Sequence, residues 1–236
     1  MGEVNHLEPT PLLDFEHADL DGLIVERGWR DLAPFDRIGA AYDFVRNEID
    51  FGYNETDDIP ASAVLRDGYG QCNTKGTLLM ALLRGCGIPC RFHGFTIDKA
   101  LQKGAMTGIV YLAAPRSIIH SWVEVLHEDR WIDLEGFILD QPYLEGLCSM
   151  FPDVRGSFCG YGVAIDPFEA PPVEWKGEST YIQRDGINGD FGVFDSPDEF
   201  YEQHGANLSG FKQFAFRHLG RKLMNANVRR VRERAT

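Results

Sequence analysis

Apolar and polar positions along the chain follow two periods, and the change from one to the other orders the elements. Ile38, Ala41, Tyr42 and Val45 recur at helical spacing and predict a helix over about 34–49. Asp31 is a candidate cap for it, with Pro34 in the first turn. A polar loop follows over 54–60, and 61–65 reads as a helical turn. After the break Gly68-Tyr69-Gly70, the clearest helix begins at Gln71-Cys72, with Leu78, Leu79, Leu82, Leu83 and Cys86 marking one face. Gly87 and Pro89 stop it, the glycine just past the last turn and the proline beyond. Strands are predicted over 91–96 and 109–113, with a polar helix or loop over 98–108.

Residues 118–126 alternate, so His120, Trp122 and Glu124 share one face and Val123 and Val125 the other. Glu128-Asp129 turns the chain. On the returning strand Trp131, Asp133 and Glu135 share a face, opposite Ile132 and Leu134, which is a hairpin pattern. A short helix is predicted over 143–150, and 152–194 reads as irregular with short strands. Ser196-Pro197-Asp198-Glu199 has the chemistry of a helix start. A final helix from near residue 208 carries the stripe Phe211, Ala215, Leu219, Leu223 and Ala226. Helices first and an antiparallel sheet later predict an α+β fold, read as a single domain over 1–236.

Composition narrows the function. The 236 residues carry a net charge of −13, which argues against general nucleic-acid or anionic-membrane binding. The charge is uneven. Residues 211–236 hold eight Lys or Arg and one Glu, so this basic C-terminal segment is +7 and the rest of the chain −20. It is expected to lie against the acidic body, with docking on a partner as the sharper alternative. The first residues lack a basic and apolar leader pattern, and no apolar run nears the ~20 residues that span a bilayer, so a cytoplasmic protein without membrane contact is expected. Five cysteines are too few, and odd in number, for a disulfide framework.

Among those cysteines Cys72 stands apart, because helix-start amides and the helix dipole favour a thiolate over a thiol. The other four read as structural: Cys86 on the apolar helix face, Cys90 at a strand start, and Cys148 and Cys159 in less regular sequence. Cys86 and Cys90 lack a second Cys/His pair at metal-site spacing, and no metal or other cofactor is expected. His120 could pair with a thiolate and protonate a leaving amine, and a carboxylate on the returning strand could orient its ring. His93 and His127 lack such a partner in the sequence pattern. Candidates for a second oxyanion donor, beside the Cys72 amide, are Tyr53, Asn54 and Gln71.

Four ordered motifs carry a resemblance: Gly70-Gln71-Cys72 at a helix start; Leu82-Leu83-Arg84 followed by Gly87-Ile88-Pro89 and Arg91; His120-Ser121-Trp122-Val123-Glu124; and Trp131 followed by Asp133 and Glu135. Over about 32–140 the chain resembles the transglutaminase-like superfamily, with 141–236 as an extension. The resemblance implies a papain-like core, in which a helix bearing the nucleophile Cys packs on an antiparallel sheet bearing His and acid. It implies Cys72 as nucleophile and His120 as general base and acid. The family's Asp falls on Glu135, a departure from the pattern, with Asp133 in reserve on the same face. The activity implied is cysteine-dependent acyl transfer: hydrolysis of a peptide or protein amide through a thioester first, transamidation second, and a non-catalytic binding module third.

Overall fold

The computed structural model describes residues 6–207 and 220–235. Its first part is helical: α1 (Ala18–Glu26), α2 (Pro34–Asn47), the two-residue strand β1 (Asp50–Phe51), α3 (Ala61–Asp67), β2 (Tyr69–Gly70) and α4 (Cys72–Gly85). Helix α2 starts on Ala33 and not on a cap from Asp31, which closes a separate short turn over Trp29–Asp31. Pro34 explains this, since at the first helical position its fixed φ suits the helix and its missing N–H is not needed.

Helix α4 is the axis of the core. Every residue from Cys72 to Arg84 is buried, so the expected single apolar face is a helix covered all round. That requires its polar residues to be satisfied inside. Lys75 Nζ donates to the carbonyls of Ile49 (2.8 Å), Ile138 (3.0 Å) and Arg46 (3.3 Å), and burial pushes its pKa down to about 7. Arg84 reaches the carbonyls of Glu8, Cys90 and Asp195. Gly87, at φ 75°, ends the helix: its N–H returns to Arg84 O (2.8 Å) and that of Ile88 to Leu83 O (2.9 Å).

The chain then builds a sheet. Strands β3 (Cys90–Asp98), β4 (Ser117–His127) and β5 (Arg130–Leu134) are joined, after a separate two-stranded pair β6 (Phe158–Gly160) and β7 (Val163–Ile165), by β8 (Ile187–Phe194). The order is β5-β4-β3-β8, antiparallel throughout. Helix α4 packs on one face, where Gly76 lies against Val123, Ser121 and Phe137. The fold is therefore α+β.

Two elements depart from expectation. Residues 109–113, predicted as a strand, lie in helix α5 (Gly108–Ala113). Strand β3 is already paired on both edges, by β4 and β8, so this β-branched run has no free edge there to join. The stretch 152–194, expected to hold only short strands, ends in the eight-residue β8. Gly189, Asp190 and Gly192 hide its alternation, and two register shifts interrupt its pairing with β3.

Helices α6 (Gln141–Met150), α7 (Pro197–His204) and α8 (Arg221–Arg232) complete the described chain. The part of the final helix expected over 208–219 lies outside the described residues. In α8 the buried face is Met224, Val228 and Val231, whereas Leu223 of the expected stripe is exposed. Arg232 fixes α8 to the body, donating to Asp140 (2.5 and 3.0 Å) and to Phe51 O (3.2 Å). Among the described residues no helix is long and apolar enough to cross a membrane.

Candidate active site

Cys72 opens α4 at its first helical position. The chain reaches it through Gly70, where an added Cβ would sit 2.6 Å from Thr74 Oγ1 and 2.9 Å from the Lys75 side chain. A glycine two residues before the cysteine is thus a packing requirement. The Gln71 N–H donates to Thr74 Oγ1 (3.1 Å), which fixes the entry to the helix. First-turn amides of a helix have no partner within it, so the start of α4 presents donors beside the thiol. Cys72 keeps 7% of its surface exposed.

His120 and Glu135 are wholly buried. His120 Nε2 lies 2.7 Å from Glu135 Oε1. The other oxygen of Glu135 accepts three backbone N–H groups, from Ile182 (2.8 Å), Gln183 (2.9 Å) and Arg184 (3.1 Å). Glu135 stands one residue past the end of β5, and its longer side chain spans from this amide cradle to the imidazole. No pattern in the sequence marks the cradle, because it comes from the stretch read as irregular.

With Nε2 on the carboxylate, Nδ1 is the ring nitrogen left for the thiol. It makes no hydrogen bond. Burial would push the imidazole down, but the nearby Cys72 and then Glu135 outweigh it and hold His120 up at about 10. The Cys72 S–H has a long contact to Asn73 Oδ1 (3.6 Å), so the thiol also has an acceptor on its own helix.

Asp133 is not brought to His120. Its carboxylate accepts the Tyr181 hydroxyl (2.5 Å), and its strand position faces Glu124. The oxyanion candidates divide. Asn54 has both amide hydrogens committed, to Asp67 (2.9 Å) and Tyr69 O (3.0 Å), and the Tyr53 hydroxyl is given to Gln102 (2.6 Å). Gln71 spends one N–H on Asp57 (3.0 Å) and retains a second. Trp122 packs against Phe95 at 4.1 Å between ring centroids and forms part of the wall.

Residues without a sequence signal surround this pair. Asp57 accepts from Gln71, from Asn73 (3.1 Å) and from Asn207 (2.8 Å). Asn207 also takes both backbone groups of Ile119, accepting from its N–H (2.6 Å) and donating to its carbonyl (3.2 Å). Asn73 bonds Ser121 and Ile119 on either side of His120. Only adjacency to Cys72 and His120 could have flagged Asn73 and Ser121. Nothing in the sequence marks Asp57 or Asn207.

Two expectations about other residues change. His93, read as having no carboxylate partner, has two: Nδ1 lies 2.6 Å from Glu124 and Nε2 3.0 Å from Asp190. Asp190 belongs to β8, the strand the pattern concealed. All five cysteines are free, and Cys148 and Cys159 are exposed rather than structural.

Residues 27–136 match the family model of the transglutaminase-like superfamily. This stretch is a transglutaminase-like core. It contains Cys72, His120, Asp133 and Glu135, while the amides that hold Glu135 and the whole of β8 lie outside it. The chain can also be superposed on the crystal structure of a "Putative Cysteine Protease" from Cytophaga hutchinsonii, at 13% identity and a TM-score of 0.49, over 87% of this chain and 50% of the other. The chain thus spans about half the length of that protein. The comparison with curated proteins gives no match.

Proposed function

We propose that the transglutaminase-like core makes this protein a cysteine-dependent acyl-transfer enzyme that hydrolyses peptide or carboxamide bonds. The observation that carries the reading is the bonding of His120. One ring nitrogen is held by a carboxylate, itself fixed by three amides, and the other is left to the Cys72 thiol. That is the arrangement a nucleophile–base–orienter set needs.

In the first half-reaction His120 holds the thiol proton and the Cys72 sulfur attacks the carbonyl carbon. The Cys72 amide, at the start of α4, donates to the developing oxyanion. As the C–N bond breaks, His120 gives its proton to the departing amine, and a thioester remains. Water then attacks the thioester, passing a proton to His120. The C–S bond breaks, the acid leaves and the proton returns to sulfur. Glu135 keeps its hydrogen bond to the ring and stabilises the imidazolium through both halves.

An activity-based probe for cysteine hydrolases tests the reading. Cys72 in the wild-type protein is expected to be labelled, and Cys72→Ala to abolish labelling although four other thiols remain. Equal labelling of the two proteins would sink the nucleophile assignment. Incubating the enzyme with a labelled primary amine and a glutamine-containing protein separates hydrolysis from transamidation, because only the latter incorporates the amine.

A further inference from the structure

A thiol and an imidazole on different elements react together only if something sets their separation. Cys72 is carried by α4 and His120 by β4, and one buried carboxamide connects the two. Asn73, the residue after Cys72, is 1% exposed. Its Nδ2 donates to Asp57 Oδ1 (3.1 Å) and to the Ile119 carbonyl (3.3 Å). Its Oδ1 accepts the Ser121 hydroxyl (2.9 Å). The orientation is fixed by chemistry, because a carboxylate and a carbonyl can only accept. Ile119 and Ser121 immediately flank His120, so the carboxamide grips the strand on both sides of the imidazole-bearing residue.

We propose that Asn73 is a positioning residue that sets the separation of Cys72 and His120, with Asp57 orienting its amide and Ser121 as its second hold on the strand. The proposal rests on the reading of Cys72 and His120 as the reacting pair. Asn73 takes no part in proton transfer or bond formation. A misplacement of ~1 Å between reacting groups can lower a rate by ~10²-fold, which makes a rigid brace worth having at this point. A buried amide whose hydrogen-bonding groups are all engaged is also unusually stiff.

The test uses the full chain carrying Asn73→Ala or Ser121→Ala. Two quantities are measured on folded protein: the rate of Cys72 alkylation by iodoacetamide at neutral pH, and the NMR titration of the His120 ring. Asn73→Ala is expected to slow alkylation by ~10²-fold, and Ser121→Ala, which removes one hydroxyl, by a few-fold. In both, the His120 midpoint is expected to fall toward that of a free imidazole as Cys72 moves away.

A folded Asn73→Ala protein that melts earlier but keeps the wild-type rate and titration would have lost only a structural contact, and the proposal is then wrong. If Asn73→Ala does not fold, Ser121→Ala decides by the same two measurements. The reading of function fails separately: a wild-type protein that no cysteine-hydrolase probe labels, but whose His120 midpoint still falls in the variants, keeps the brace and loses the enzyme.

Discussion

The same face of the sheet holds two histidines bound to carboxylates, and they differ in one respect. His93 on β3 and His120 on β4 lie close together, for Phe95 pairs with His120 in the ladder and stacks on His93 at 4.1 Å. Each has a carboxylate within hydrogen-bond distance. In each, burial opposes the charged ring and the surrounding groups raise its pKa above the ordinary value. His93, however, has a carboxylate on both nitrogens, and Glu124 is shared further with Arg91 (2.6 Å). His120 has one carboxylate, and its other nitrogen has no hydrogen-bond partner. A raised pKa therefore does not distinguish a proton shuttle from a structural cation. The free nitrogen does.

Removing each ring breaks the comparison most sharply. His120→Ala is expected to slow Cys72 alkylation at neutral pH by ~10³-fold or more, because general acid–base groups contribute on that scale. His93→Ala is expected to leave the rate within about a few-fold and to lower the melting temperature instead, by removing the partner of two carboxylates. Similar rate losses in both variants would mean that the two rings play the same part.

Glu135→Gln comes next. The single amide oxygen would remain on the three N–H groups of 182–184, which turns the NH2 toward His120 Nε2. That nitrogen must then accept, the proton moves to Nδ1, and the ring can no longer take the thiol proton. A loss of ~10²-fold or more is expected from the wrong tautomer, against little change for Asp133→Asn, which does not touch His120. Paired rate measurements on the two variants check this.

The pH dependence of stability is a smaller effect. The His120 ring is held at about 10 in the fold against an ordinary 6.5. Its stabilising contribution is complete below about pH 6.5 and is lost as pH rises through about 10. Lys75 works in the opposite direction. Its pKa is lowered to about 7 from 10.5, so the cost of burying its charge is full below pH 7 and disappears toward 10.5. Urea midpoints should therefore fall more steeply from pH 6.5 to 10 in the wild type than in Glu135→Gln, with Lys75 common to both. Parallel curves would show that Glu135 does not hold the charge. The smallest expected effect on this pair is that of Gly70→Ala, which overpacks against Thr74 and Lys75. A loss of ~1–3 kcal/mol in thermal or urea unfolding is expected, with a modest rate change.

How much of this was legible depended on how local the information was. Helix α4, its glycine stop and the β4–β5 hairpin follow from short-range periodicity, and their motifs mark the core that the family model covers. The meeting of His120 with Glu135 follows from alternation on paired strands. Why a glutamate occupies that place does not, since the reason is an amide cradle nearly fifty residues further on. The carboxylates on His93 were hidden for a similar cause: Asp190 lies on a strand whose glycines erase its pattern. Asn73 looked like an ordinary helix residue, and only the strand packed against it gives it a role. Periodicity reports which face an element buries, but not what buried polar groups meet there.

Asn207 also covers part of a sheet edge. Strand β5 pairs with β4 only from Val123 onward, so the neighbouring edge of β4 near Ile119 receives no β5 partner. An unpaired sheet edge is a template on which another chain can add a strand. The carboxamide of Asn207 occupies both backbone groups of Ile119, much as a peptide unit from a neighbouring strand would. One side chain thus stands in for a strand one residue long, and the Ile119 backbone, next to His120, has both its groups engaged.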